Sequence, residues 1–289
     1  MNYRMNATVA IGRHRLRESL IHPGYYISLT ISLLVGYAFV AAFVRSIDSS
    51  GFNYHANPLY DFVGGVLSGA FGSTVLSRVF ADGPFLFAMN VSFLPVLLYL
   101  AMTSVYRFGT EKSSGAIELL TYGPSDGTSY FLGSLAKDVL LSAAALLALF
   151  LFYCFAGIVD NIAVTPRLLE EVFLLFFSAI AIFAYGILVS SVTDSANSAL
   201  ALFLAGFVLL AVSLVGSYAI VGGYVRSLSA IAAWIVQWFS PFFYWSLGTR
   251  AAIAGEFGGF ALGIIGLIVL VVAVLTASHF IIRSRGVRP

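Results

Sequence analysis

Residues 258–282, GGFALGIIGLIVLVVAVLTASHFII, form an apolar run that contains no Asp, Glu, Lys or Arg. A helix needs about 20 such residues to cross roughly 30 Å of hydrocarbon. Five more apolar runs lie at residues 25–45, 84–106, 131–158, 169–191 and 197–221. A helix satisfies its own backbone hydrogen bonds, as the bilayer interior requires. The sequence therefore predicts one all-α membrane domain, residues 1–289, with six transmembrane helices.

The composition indicates the same class of protein. The chain of 289 residues is 60% hydrophobic and 10% charged, whereas soluble domains carry about 25% charged residues. Its net charge of +2 is too small to indicate a nucleic-acid partner. The sole cysteine, Cys154, lies in an apolar run and cannot by itself form an intrachain disulfide or a metal site.

The distribution of Lys and Arg predicts the orientation, because cytoplasmic loops carry more of them. Six spans with both termini in the cytoplasm place ten basic residues inside and five outside. The inside set is Arg4, Arg13, Arg15, Arg17, Arg107, Lys112, Lys137, Arg283, Arg285 and Arg288, and the outside set is Arg45, Arg78, Arg167, Arg226 and Arg250. We therefore expect a multi-pass protein of the cell membrane with both termini inside.

Two further segments have helical patterns. Residues 58–80 place apolar side chains at three- and four-residue steps, which predicts an external amphipathic helix. The alternative is a seventh span, which would put the basic C-terminal tail outside, against the positive-inside rule. Residues 11–23, IGRHRLRESLIHP, are basic with interspersed apolar residues. They suit either an interfacial helix on the inner leaflet or a plain basic flank that sets the topology.

The chain lacks the motifs of nucleotide binding and of intramembrane hydrolysis. Lys112 follows Glu111 and Lys137 follows Ala136, so no Gly-Lys-Ser/Thr element exists and any ATP must bind to another polypeptide. The four histidines show no metalloprotease spacing, so we assign no catalytic and no metal-binding residues. We also expect no acidic residue near the centre of a span, which counts against a proton- or sodium-driven carrier.

The longest polar interval on the predicted cytoplasmic side that could form a short helix is residues 107–137, RFGTEKSSGAIELLTYGPSDGTSYFLGSLAK. Residues 115–122 predict a short helix that Ser113 or Ser114 can cap and that ends at Gly123 and Pro124. Such a helix is marginal alone in water and needs a surface to pack on. Its apolar side, with Leu119 and Leu120, suits either a groove on a partner protein or the lipid interface.

This loop resembles the loop between the second and third spans of type-2 ATP-binding-cassette (ABC) transporter permeases. Members of that family typically read E-x-x-x-G-x-x-E-x-L, then a Pro, then a Gly-Lys that opens the third span. The matching residues here are Glu111, Gly115, Glu118, Leu119, Leu120, Pro124, Gly133 and Lys137. Ser134 follows Gly133 at a position where the family often has Lys.

Two weaker similarities extend the resemblance over the whole chain. Arg15-Leu16-Arg17-Glu18 with Pro23 is similar to the family's basic-acidic element before the first span. Ser240-Pro241-Phe242-Phe243-Tyr244, followed by residues 252–255, is similar to its S/N-P-aromatic stretch before the last span.

The resemblance implies the membrane subunit of an ABC exporter, with no chemistry of its own. Such a permease pairs with a second copy or a paralogue, and two cytoplasmic ATPase subunits that hold ATP and Mg²⁺ dock beneath it. The helix at 111–122 would be the coupling helix, with Glu111, Gly115, Glu118, Leu119 and Leu120 as its contact residues. ATP would shift the permease between inward- and outward-facing states only by favouring one of them.

The resemblance also implies that the second and fifth spans line the substrate path. The candidate path residues are Asn90, Thr103, Ser213 and Ser217. An interhelical hydrogen bond is the alternative role for Asn90. Separately, Gly255, Gly259 and Gly263 form a double G-x-x-x-G run, which predicts close helix packing within the chain.

Two other functions fit the same sequence. One is a membrane scaffold or assembly factor whose 107–137 loop docks a partner other than an ATPase. The other is an ion-coupled secondary carrier or a channel. The sequence identifies no cargo.

Overall fold

The computed structural model describes residues 2–45, 47–48, 51–52, 57–61, 84–115, 127–219 and 237–284. Eight labelled helices follow one another: α1 (Asn2–Ile21), α2 (Pro23–Arg45), α3 (Pro84–Ser113), α4 (Gly127–Val159), α5 (Arg167–Val192), α6 (Ala196–Ala219), α7 (Pro241–Ala254) and α8 (Phe257–Ser284). A two-residue antiparallel ladder joins β1 (Ile47–Asp48) to β2 (Gly51–Phe52) after α2. The described part of the chain is thus a helical bundle.

Five of the helices, α2, α3, α4, α5 and α8, are long and apolar enough to cross a membrane. They coincide with five of the six predicted spans, and they confirm a polytopic all-α membrane protein. The remaining predicted span, 197–221, coincides with α6, whose described apolar part is the shorter segment Ala196–Ala211. The predicted helix at 58–80 lies largely outside the described residues.

The bundle is built around α3 and α5, the two most buried of these five helices. Both contact α4 and α6, and α5 also packs against α7 and α8. The opposite face of α8 exposes Leu262, Ile265, Val269 and Val272 at three- and four-residue steps. An exposed apolar stripe on a membrane helix is the face that contacts lipid, because hydrocarbon solvates it as well as a protein core does.

The helices α7 and α8 pack unusually closely within the chain, as the glycine run predicts. A Cβ on Gly263 would lie 2.9 Å from both the carbonyl oxygen of Tyr244 and the Cα atom of Gly248. Glycine at this position therefore lets the two backbones touch. Gly255 has a different role: it ends α7 with a φ of 74°, in the left-handed region.

The basic N-terminal segment is part of a full helix, α1, that packs mainly against α4. The backbones approach at Gly12 and Gly133, where a Cβ on Gly133 would lie 2.9 Å from the carbonyl oxygen of Thr8. The helical run is interrupted at His22, and Pro23 opens α2 in the first-turn position that proline favours.

The structure places the first residues of the predicted 111–122 coupling helix in α3. Residues 111–113 belong to α3, and the Ser113 and Ser114 hydroxyls donate back to the carbonyl oxygens of Thr110 and Glu111. The backbone groups beyond Gly115 that either serine would cap lie outside the described residues. Gly115 has a φ of 72°, the left-handed conformation that commonly terminates a helix. Residues 116–126 lie outside the described residues.

Candidate functional site

The predicted coupling residues are only partly described. Glu111 and Gly115 are described, the first in the last turn of α3 and the second just after it. Glu118, Leu119 and Leu120 lie outside the described residues. The structure therefore defines the base from which this loop leaves the bundle.

At this base a cluster of four charged residues joins α1 to α3; we call Arg15, Glu18, Arg107 and Glu111 the basal cluster. Arg15 donates to Glu111 Oε2 at 2.6 Å, and Arg107 donates to Glu111 Oε1 at 3.3 Å. Arg107 also donates to Glu18 Oε1 at 2.5 Å. Acidic and basic side chains alternate, so each carboxylate has at least one guanidinium partner.

Arg15 is the most buried member of the basal cluster. Its side chain is 10% exposed, its guanidinium donates to the Tyr130 hydroxyl at 2.7 Å, and it lies 5.2 Å from the centroid of the Tyr130 ring. Tyr130 is in the first turn of α4. A largely desolvated arginine beside a carboxylate and an aromatic ring combines ion pairing with a cation–π contact. Arg15 thus links three helices.

The outer pair of the cluster is more exposed. The Glu18 and Arg107 side chains are 44% and 36% exposed. The hydrogen bond from Arg107 holds the pKa of Glu18 below its ordinary value of 4.5. Solvent screens such a pair, so it contributes less than the Arg15–Glu111 contact does.

Lys112 fastens the same end of α3 to the end of α5. Its Nζ donates to the carbonyl oxygens of Ser191 and Thr193 at 3.0 and 2.6 Å, and lies 3.6 Å from Asp194 Oδ1. The last carbonyl groups of a helix lack intrahelical partners and carry partial negative charge. Lys112 therefore caps α5 from a neighbouring helix.

Two carboxylates are buried in helices that match predicted spans, where the sequence predicted no acidic residue near the centre of a span. Asp138 lies in α4 and is 1% exposed. It accepts a hydrogen bond from Ser104 at 2.6 Å, and the Nζ of Lys137 lies 2.6 Å from its other oxygen. The neighbouring lysine offsets the cost of burying this charge.

Glu171 in α5 is a second buried carboxylate, 0% exposed. Trp245 Nε1 donates to its Oε1 at 2.9 Å, and the Thr249 hydroxyl lies 3.1 and 3.0 Å from its two oxygens. Two neutral donors from α7 therefore converge on one carboxylate of α5.

The structure separates the two path candidates on α3. Asn90 is partly buried and donates to Leu86 O within its own helix at 2.9 Å, so its path-lining and interhelical roles both stay predictions. Thr103 is exposed, and its hydroxyl donates to Tyr99 O within its own helix at 2.7 Å. Thirteen residues separate them, or about 20 Å of helix. Ser213 and Ser217 lie in α6, but their side chains are outside the described residues.

Sequence reasoning missed several residues at these sites. Asp138 follows Lys137 directly, and that charged pair inside an apolar run was a visible signal for buried ionic groups. Trp245 and Thr249 had no such signal, because their role depends on α7 folding back against α5. Among the described residues, no three His, Cys, Asp or Glu side chains form a metal-binding group. Comparison of the chain with protein families and with curated proteins finds no match.

Proposed function

We propose that this chain is the membrane-spanning permease subunit of an ABC exporter. It would move a substrate with energy from ATP that separate cytoplasmic ATPase subunits bind and hydrolyse. The full proposal includes six spans with both termini inside the cell, a second permease copy or paralogue, and two ATPases at the 111–122 segment. The resemblance of the loop to the permease family supplies the functional class.

The observation that most supports this proposal is the anchoring of the loop's base. Glu111 is bound by Arg15 of α1 and by Arg107, and Lys112 is bound to the end of α5. A partner that pushes on residues directly after this point would displace α1, α3 and α5 together, because charged contacts join them. A loop attached to α3 alone would transmit less of the force.

The test is docking of the ATPase to a variant in the predicted apolar side of the loop. Leu119→Asp would place an unpaired carboxylate against the groove, which costs several kcal/mol and weakens docking by about two orders of magnitude or more. On a helical register Thr121 lies on the opposite side, so Thr121→Asp is the matched control. We expect wild type and Thr121→Asp to recover the ATPase and Leu119→Asp to lose it.

Equal recovery of the ATPase by Leu119→Asp and wild type, at matched expression, would refute the coupling role. Topology is tested separately in a Cys154→Ala background. Single cysteines at Ser125 and Asn53 should react with an impermeant reagent from opposite sides of the membrane. Reaction of both from one side would contradict the six-span arrangement.

A second function, an ion-coupled carrier, is favoured by one specific observation. Glu171 is fully buried, and two neutral donors of α7, Trp245 Nε1 and the Thr249 hydroxyl, approach it. Buried carboxylates within membrane helices commonly mark ion pathways. Substrate uptake by purified chain in liposomes, driven by a proton or sodium gradient and abolished by Glu171→Gln, would establish this carrier. ATP-dependent transport that persists in Glu171→Gln would instead favour the ABC permease.

A further inference from the structure

The helix α1 has two chemically different sides. One side packs on the bundle through Ile11, Leu16 and the Gly12 backbone, and it directs Arg15 to the basal cluster. The opposite side has no packing partner among the described residues. A helix of 20 residues is about 30 Å long, so this open side is a substantial surface.

The open side combines large apolar and basic side chains. Met5, Val9, Arg13 and Arg17 follow one another at four-residue steps and therefore share one face. Met5 is 65% exposed and Val9 is 63% exposed. Leu20 continues the face one turn later, beside Ile21, which is 73% exposed. Water alone is a poor solvent for such a row of apolar side chains.

The charge on this face is positive among the described residues. Arg13 and Arg17 are exposed, and neither forms an ion pair with any described residue. His14 is exposed beside them. The nearest acidic residue on the helix, Glu18, already binds Arg107. The face therefore offers two guanidinium groups to an external anion.

The contacts of α1 place it at the boundary of the apolar layer. Arg15 contacts the last turn of α3 and the first turn of α4. At the C-terminal end of α1, His22 Nδ1 lies 3.5 Å from the hydroxyl of Tyr99, within the apolar part of α3. The positive-inside rule assigns this end of the bundle to the cytoplasmic leaflet. Headgroups of that leaflet are thus within reach of the open face.

We infer that the open face of α1 binds anionic phospholipid headgroups, with Met5, Val9 and Leu20 inserted among the acyl chains and Arg13 and Arg17 against phosphates. Arginine and apolar residues on one helix face are the combination that interfacial helices use. Attraction to an anionic surface amounts to roughly a fivefold preference for each basic residue. This inference requires only that the chain is membrane-inserted, and it does not depend on ATP-driven transport.

The test uses a fluorophore on Val9→Cys in a Cys154→Ala background, with the purified chain in nanodiscs of mixed phosphatidylcholine and phosphatidylglycerol. In one preparation the acyl chains of phosphatidylglycerol carry bromine. In a second, otherwise identical preparation the acyl chains of phosphatidylcholine carry it. We expect brominated phosphatidylglycerol to quench the fluorophore more strongly than brominated phosphatidylcholine at equal mole fraction. Salt at about 1 M, where the Debye length is about 3 Å, should remove most of the difference.

The double variant Arg13→Gln/Arg17→Gln should lose the preference for phosphatidylglycerol and keep quenching by both lipids. Arg45→Gln, an exposed arginine at the far end of α2, is the control and should keep the preference. Both variants should keep the wild-type elution volume and thermal midpoint, because all three arginines are exposed. Equal quenching by both lipids in the wild type would overturn the inference. So would a preference that survives the double variant. Absence of any quenching would also overturn it, since the face would then be covered by protein or lie in water.

Discussion

Glu111→Gln is the sharpest test of the basal cluster, because it removes one charge and preserves the side-chain shape. In the wild type, Glu111 accepts hydrogen bonds from Arg15 at 2.6 Å and from Arg107 at 3.3 Å. Its side chain is 20% exposed and that of Arg15 is 10% exposed. The variant keeps an amide oxygen as an acceptor but removes the negative charge, so Arg15 loses its ion pair and keeps the Tyr130 hydroxyl and ring.

The magnitude follows from the separation of the charges and their partial burial. At an effective dielectric constant of about 20, unit charges about 4 Å apart attract by about 4 kcal/mol. Desolvation offsets part of this attraction, so we expect α1 to lose about 2 kcal/mol of docking free energy. That loss corresponds to roughly a 30-fold rise in the population of undocked α1.

Hydrogen exchange of the α1 amides measures this population directly, because local opening exposes them. Glu111→Gln should speed exchange in residues 11–20 by about 30-fold and leave α8 unchanged. Glu18→Gln is the matched control within the same cluster. Its pair is far more exposed, so its effect should correspond to less than about 1 kcal/mol, or about fivefold. Equal effects of the two variants, or a larger one for Glu18→Gln, would refute this ranking by burial.

Three further predictions concern other contacts. Lys112→Met should lower thermal stability by about 1–2 kcal/mol because it uncaps the α5 carbonyls, and Lys112→Arg should restore part of the loss in the same melting assay. Gly263→Leu should destabilise the α7–α8 contact by about 3 kcal/mol, since its Cβ meets the Tyr244 carbonyl, whereas Gly258→Leu, with open space around the Cβ, should not; equal melting of the two variants would contradict this contact. The folded-state pKa of Glu18 is below 4.5, so its ion pair stabilises α1 fully above about pH 4.5 and loses that effect as the pH falls through the lowered pKa. The opening of α1, measured as the amide exchange rate divided by the intrinsic rate at each pH, should therefore increase from about pH 6 to about pH 3 more steeply in wild type than in Glu18→Gln, and parallel profiles would contradict the assignment.

The end of α3 shows where a local pattern was insufficient. The resemblance assigned residues 111–122 to one coupling helix, yet residues 111–113 belong to α3 and Gly115 has the left-handed conformation that commonly follows a helix. Lys112 contacts the end of α5, and the local sequence does not show that partner.

The sequence by itself determined the membrane class and the positions of five spanning helices. Those features follow from length and apolarity, because the bilayer has a fixed thickness and accepts no unpaired backbone groups. The glycine run also predicted the close approach of α7 and α8, because glycines at four-residue spacing have no side chains to keep two helices apart.

Only the tertiary structure decided which polar residues meet. Arg15 and Glu111 are 96 residues apart in the chain, and Glu171 and Trp245 are 74 residues apart. Burial of Glu171 depends on α3 and α7 both packing against α5, and not on its place near the end of an apolar run. A charged side chain in a membrane helix is tolerated when partners from other helices surround it. Hydropathy along one chain segment cannot show those partners, because it measures each segment against lipid and not against its neighbours.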